Sequence, residues 1–253
     1  MKPIYSAMAS VQQINSARAQ ASNMMANIST IGFKESYRYA TNTVKIDGPG
    51  FATTYQPVSA SEDYISLVPG PMQMTGRKLD VFMKGTTVMG VLASNGQVAF
   101  TRRGDLTPDD IGQLKTGSGN LVLGEGGGPI TVPLGFEFEI SGDGTIMAYD
   151  QEVPDAPGQE IGRIMLRDGV DAKLVRRLDG LFEPEALFGQ GGDFESGPTA
   201  PELVGGALEG SSANVAEMLV QLLDFNRSFE GRIRLVKEVK ELDQSGSSMI
   251  KMA

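Results

Sequence analysis

The sequence predicts an α+β fold, with long, coiled-coil-like helices at the N- and C-termini flanking a β-rich middle domain. Two observations carry this expectation. Apolar residues recur every seven positions near both ends of the chain, and short β-type runs broken by turns fill the interval. The 32 Gly and 13 Pro supply many such turns.

The first element is N-terminal. Ile4, Val11, Arg18 and Met25 share one heptad position, and Ala7, Ile14, Ala21 and Ile28 fall three residues later. All but Arg18 are apolar, while Ser, Gln, Asn and Ala dominate between them. That is a narrow seam suited to a partner helix. A helix from Pro3 to about Ile28 would be ~40 Å long. Asn27, Ser29 and Thr30 then favour a turn, and Gly32 supplies the stop.

Residues 36–78 read as an irregular connector, because "DGPGF", "QPVSASED" and "VPGPMQMTG" interrupt any helix. A β-rich domain is expected over 79–205. "TTVMGVLA" and "QVAFTRR" flank Ser94, Asn95 and Gly96 as one hairpin, and "FEFEIS" and "TIMAYD" flank Gly142, Asp143 and Gly144 as another. Phe136, Phe138 and Ile140 alternate with Glu137 and Glu139, as in a half-buried strand. "GQGGDFESGPTAPELVGG" reads as an exposed connector.

The last region, 206–253, repeats the seam. Leu208, Val215, Leu222, Phe229, Val236 and Ile250 keep the seven-residue period, broken at Asp243. Met218, Phe225 and Val239 take the companion position, with Leu219 and Ile233 widening the stripe. Ser211, Ser212 and Asn214 are candidate N-caps, which places the helix from about Asn214 to Leu242.

Composition narrows the function. A net charge of −9 argues against nucleic-acid binding, which relies on Lys and Arg clusters. With no Cys and no His, thiol nucleophiles, disulfides, Cys/His zinc sites and the usual neutral-pH base are absent. The N-terminus lacks the apolar run of a cleavable signal peptide, and no segment has the roughly 20 apolar residues of a membrane span.

"GEGGGP" at 124–129 lacks the ending of a P-loop and carries Pro129 where a dinucleotide fingerprint needs Gly. A turn between strands is the expectation there. Neighbouring acids oppose Arg102 with Arg103 and Arg176 with Arg177, which places both pairs on strand edges. No catalytic, cofactor or metal constellation emerges.

Taken in order, several stretches resemble the rod and hook axial proteins of the bacterial flagellum, and most closely their proximal-rod type. These are "ASNMMANISTIGFKES", "PGPMQMTGRKLDVFMKG", "AFTRRGDLTPDDIGQLKTGSGNLVLGEGGGPITVP", "ISGDGTIMAYD", "EIGRIMLR", "LDGLFEP" and "GALEGSSANVAEMLVQLLDFNRSFE". Each is weak alone, but their collinear order is specific. Asn23, Asn27, Ser29, Gly32 and Phe33 match the helix-ending signature; Leu208, Glu209, Ser211, Asn214 and Val215 match the start of the C-terminal helix. Met25, Ile28 and Ile31 depart from the residues usual in that family.

The resemblance implies a structural protein without enzymatic activity or cofactor. Its terminal helices would form the inner tube of an axial filament around an export channel, and its β domain would lie outside. Partners would be copies of itself, other rod proteins and the flagellar type III export apparatus, in a rod crossing the periplasm. The subunit-contact residues would be Ile4, Val11, Ile14, Asn23, Asn27, Gly32, Phe33, Leu208, Asn214, Val215, Met218, Leu222, Phe225, Phe229 and Val236. The short 36–78 segment favours the proximal over the distal type. From other classes, a monomeric β-domain binding module and a carboxylate-based hydrolase stand as alternatives.

Overall fold

The computed structural model describes residues 15, 18–37, 43–48, 51–57, 64–150 and 157–251. Ile4, Val11 and Ile14 lie outside them, as does most of the helix expected from Pro3.

Among the described residues strand outweighs helix, 35% against 19%, which overturns the α+β layout with long coiled-coil helices at both ends. At the N-terminal end the described helix covers 18–26, followed by a turn over 27–29. The C-terminal helix Val215–Lys251 has 37 residues, and over its first turns the apolar side chains do not share one degree of burial. Met218 is fully buried, whereas Val215, Leu219, Val220 and Leu223 stand about half exposed. A coiled coil needs one continuous buried stripe, and the mixed burial here is not that. The helix also runs past "DQSGSS", because one interior glycine costs about 1 kcal/mol and no proline ends it.

The chain divides into two units. The first comprises 1–27, 38–61 and 214–253. Besides its helices it holds the antiparallel hairpin of Thr43–Gly48 with Phe51–Pro57, paired from Thr43 opposite Pro57 to Ile46 opposite Thr54, after which the register shifts before Gly48 meets Phe51. Ala21 and Met24 are buried. The Asn23 carbonyl accepts twice from Asn27, from its side-chain amide at 2.9 Å and from its backbone amide at 3.2 Å, as the helix ends.

The second unit, 28–37 and 62–213, is the β body. Its main sheet has ten strands. It runs from Ser36–Tyr37 through Tyr64–Ile65, Leu174–Arg176, Phe182–Pro184, Val98–Thr101, Thr87–Leu92, Leu121–Val122 and Leu114–Thr116 to Leu106–Pro108. Leu166–Asp168 also pairs with Thr87–Leu92. A second sheet joins Phe136–Ile140, Thr145–Asp150 and Gln159–Arg163. Two short pairs complete the body: Leu203–Gly205 on Val81–Met83, and Ala207–Glu209 on Met72–Met74.

Local signals explain the two central hairpins. Gly96 and Gly144 hold φ of 78° and 87°, left-handed values that only glycine adopts freely. Phe138 and Ile140 are buried while Glu137 and Glu139 face solvent, so the alternation orients that strand. The main core lies between sheets, with Val91, Leu106, Leu114, Val122, Ile146 and Ile164 fully buried. "GEGGGP" is a turn, with Leu123 bridged to Pro129 and the Gly124 amide donating to the Gly128 carbonyl at 2.8 Å.

Candidate subunit-contact site

In the β body, the segment leaving the first helix and the segment entering the last are laced side by side. The Gly32 amide donates to the Glu209 carbonyl at 2.8 Å, and the Ser212 amide donates to the Phe33 carbonyl at 3.1 Å. The Glu35 amide donates to Ser212 Oγ at 2.8 Å. Gly32 has φ of 67°, and a Cβ there would sit 2.3 Å from the Arg102 carbonyl oxygen. The glycine is therefore required twice, by its conformation and by the close approach of another backbone. It closes no helix; it admits the chain to the body.

Beneath this lacing lies a buried ion cluster. Lys34, Arg102 and Glu209 are each 0% exposed. Lys34 Nζ donates to Glu209 Oε1 and to the Val68 carbonyl at 2.7 Å. Arg102 Nε donates to Glu209 Oε2 at 2.7 Å. Its remaining nitrogens donate to the carbonyls of Gly85 at 2.7 Å, Thr87 at 2.9 Å and Met83 at 2.5 Å. The Gly70 amide also donates to Glu209 Oε1, at 2.6 Å. One carboxylate thus serves two cations and a backbone amide. Loss of hydration on burial, reinforced by the nearby Arg102 charge and opposed by Glu209, lowers the Lys34 pKa from 10.5 to about 8. Arg176 closes the site from above: it donates to the Lys34 carbonyl, and its guanidinium stands 4.4 Å from the centroid of the buried Phe33 ring.

The expectation that Arg102 and Arg176 occupy strand edges is thereby corrected. Their neighbours, each just past a strand's end, do meet nearby acids: Arg103 pairs with Asp105 at 2.7 Å and Arg177 with Asp179 at 3.1 Å. Buried Arg102 instead finds a carboxylate 107 residues away. Lys34 and Arg102 had no sequence signal as site residues. Glu209 had one only as part of the motif that precedes the C-terminal helix.

The remaining expected contact residues divide by burial. Gly32, Phe33 and Leu208 are buried in the β body, and Met218 is buried in the first unit. Asn27, Leu222, Phe225 and Phe229 are half-buried; Asn23, Asn214 and Val215 are exposed. Val236 lies within the helix. Asn214 acts as the helix N-cap, its Oδ1 accepting from the Ala216 amide at 3.0 Å. The exposed apolar row is Val215, Leu219 and Leu223, four residues apart, with Val220 beside it, at 49–58% exposure. Leu219 belongs to the expected stripe but not to the expected contacts, and Val220 and Leu223 fall outside both because a seven-residue count skips them.

Among the described residues, no group of three or more His, Cys, Asp or Glu side chains is placed to hold a metal ion. No described helix is long and apolar enough to cross a membrane. A shallow groove lined by Ile31, Leu208, Thr75, Arg77 and Asp105 has its charges already compensated, Arg77 by Asp80 and Asp105 by Arg103.

Comparison with known proteins accounts for this layout. The family described as flagellar hook protein FlgE/F/G D1 domain matches residues 83–148, and flagellar basal body rod FlgEFG protein C-terminal matches 204–249. The flagellar basal-body rod protein FlgF of Salmonella typhimurium is 32% identical over 99% of this chain and 98% of its own length. FlgF of Escherichia coli is 31% identical over the same shares. The rod protein FlgG of Bacillus subtilis is 25% identical over 96% of this chain and 97% of its own. A monomeric binding module is not favoured by these relatives. The chain belongs to the flagellar basal-body rod protein family, and is a structural subunit of that rod, not an enzyme.

Proposed function

We propose that this subunit builds the proximal part of the rod, burying its terminal segments 1–35 and 206–253 against copies of itself and other rod subunits. Residues 79–205 form its β-rich outer domain. It reaches the rod through the flagellar type III export apparatus. The full-length match to two FlgF proteins supports the proximal reading.

The observation that carries the assembly reading is the exposed row of Val215, Leu219, Val220 and Leu223. A helix that leaves four apolar side chains in water gains when another surface covers them. Each is about half covered already, so covering the rest contributes about 1 kcal/mol apiece. A repeating assembly multiplies that gain at every subunit.

The test is the double variant Leu219→Asp/Leu223→Asp, measured in isolated basal bodies. The expected result is a β body that melts as in the parent chain, with the subunit missing from the rod. Incorporation at the parental level would overturn the reading.

A further inference from the structure

The chain contains 13 Met and no Cys, so no thiol competes for an oxidant and the thioether is its most oxidisable side chain. Burial sorts these sulfurs sharply. Met83, Met89 and Met218 are 0% exposed and Met165 is 3%, whereas Met72 is 51% and Met74 is 71%. Met72 and Met74 belong to one three-residue strand, two positions apart, so their side chains leave the same face. The strand is held along one side by Ala207–Glu209. The bonds of Thr75 to Gly206 and of Gly210 to Pro71 fix the ladder phase. That phase turns the backbone groups of Met72 and Met74 away from the partner strand. In the sheet pairing, Met72–Met74 has no strand on its other side among the described residues.

We propose that Met72 and Met74 form a paired sulfoxidation site for peroxides. A lone pair on each sulfur attacks one peroxide oxygen; the S–O bond forms as the O–O bond breaks. The departing hydroxide takes the peroxide's remaining proton and leaves as water. Each sulfur loses two electrons, and each hydrogen peroxide is reduced to one water plus the sulfoxide oxygen. Two adjacent apolar side chains thereby become polar acceptors on an exposed strand, a change of the kind that methionine sulfoxide reductases reverse. The buried sulfurs sit behind the fold and react only when it opens, which slows them by at least ~100-fold.

The experiment treats the purified full-length chain with hydrogen peroxide at neutral pH and follows each methionine by peptide mass spectrometry. Met72 and Met74 should gain one oxygen each in the earliest phase, ahead of Met83, Met89 and Met165. The half-buried Met147 should fall between them. In urea all should react alike. The variant Met72→Leu/Met74→Leu, with an unchanged melt, should lose the fast phase contributed by those two sulfurs. Equal rates for Met74 and Met89 in the folded chain would overturn the proposal, as would a slow Met72 and Met74 pair in chain shown by circular dichroism to be folded.

Discussion

Replacing Glu209 with Gln keeps the side chain's size and removes only its charge. Lys34 and Arg102, both fully buried, would then face each other without an anion. Breaking a buried ion pair from one side costs about 3–5 kcal/mol. For a body of this size that lowers the melting temperature by roughly 6–20 °C. The reverse substitution should behave differently. The cluster holds two cations to one carboxylate, so Lys34 is its surplus charge, and burial already disfavours its protonated form. Lys34→Met removes that burden and leaves Glu209 paired with Arg102. It orphans the Val68 carbonyl, a loss of about 1 kcal/mol. The expected order in urea denaturation at pH 7, followed by circular dichroism, is parent close to Lys34→Met, with Glu209→Gln far below both. The reasoning fails if Glu209→Gln keeps the parental midpoint, or if Lys34→Met loses as much.

The same lysine sets a pH dependence. Its pKa is about 8 folded against 10.5 ordinarily, so between those values the unfolded chain holds a proton that the folded chain has released. Stability therefore rises with pH across that window, by on the order of 3 kcal/mol. Unfolding titrations of the parent and Lys34→Met should diverge by that rise, and parallel curves would contradict it. Gly32→Ala places a Cβ 2.3 Å from the Arg102 carbonyl in a left-handed conformation. It should destabilise the body by at least about 2 kcal/mol in a thermal melt. Asn214→Ala removes the N-cap bond to Ala216. Its expected cost is about 1 kcal/mol, visible as faster amide exchange over residues 215–219 with the β body unchanged.

What the sequence disclosed follows the distance over which each feature is determined. The hairpins around Gly96 and Gly144 rest on turns whose residues are adjacent, and the start of the last helix rests on Asn214 and the amide two residues on. Such signals are written locally. Arg102 beside Arg103 reads as a surface pair because nothing nearby names Glu209 as its partner. Met72–Met74 lies in a turn-rich stretch and becomes a strand only because Ala207–Glu209 lies along it. The heptad count marked the C-terminal helix, but period alone does not say which side is covered, and the exposed Val220 and Leu223 fall between its marks. Gly32 stood out as a helix stop, although its conformation serves the passage of Arg102.

The lacing of Gly32–Glu35 to Glu209–Ser212 also dictates an order of events. Lys34 and Glu209 are separated by 175 residues. The contact that closes the body therefore cannot form until nearly the whole chain is available. Non-local closure is slow, since the entropy of a long loop is lost before its contacts form. A polypeptide truncated before residue 209 would keep two buried cations without their anion and has no route to the finished body. The fold thus contains its own delay, and the ion cluster stays incomplete until Glu209 arrives.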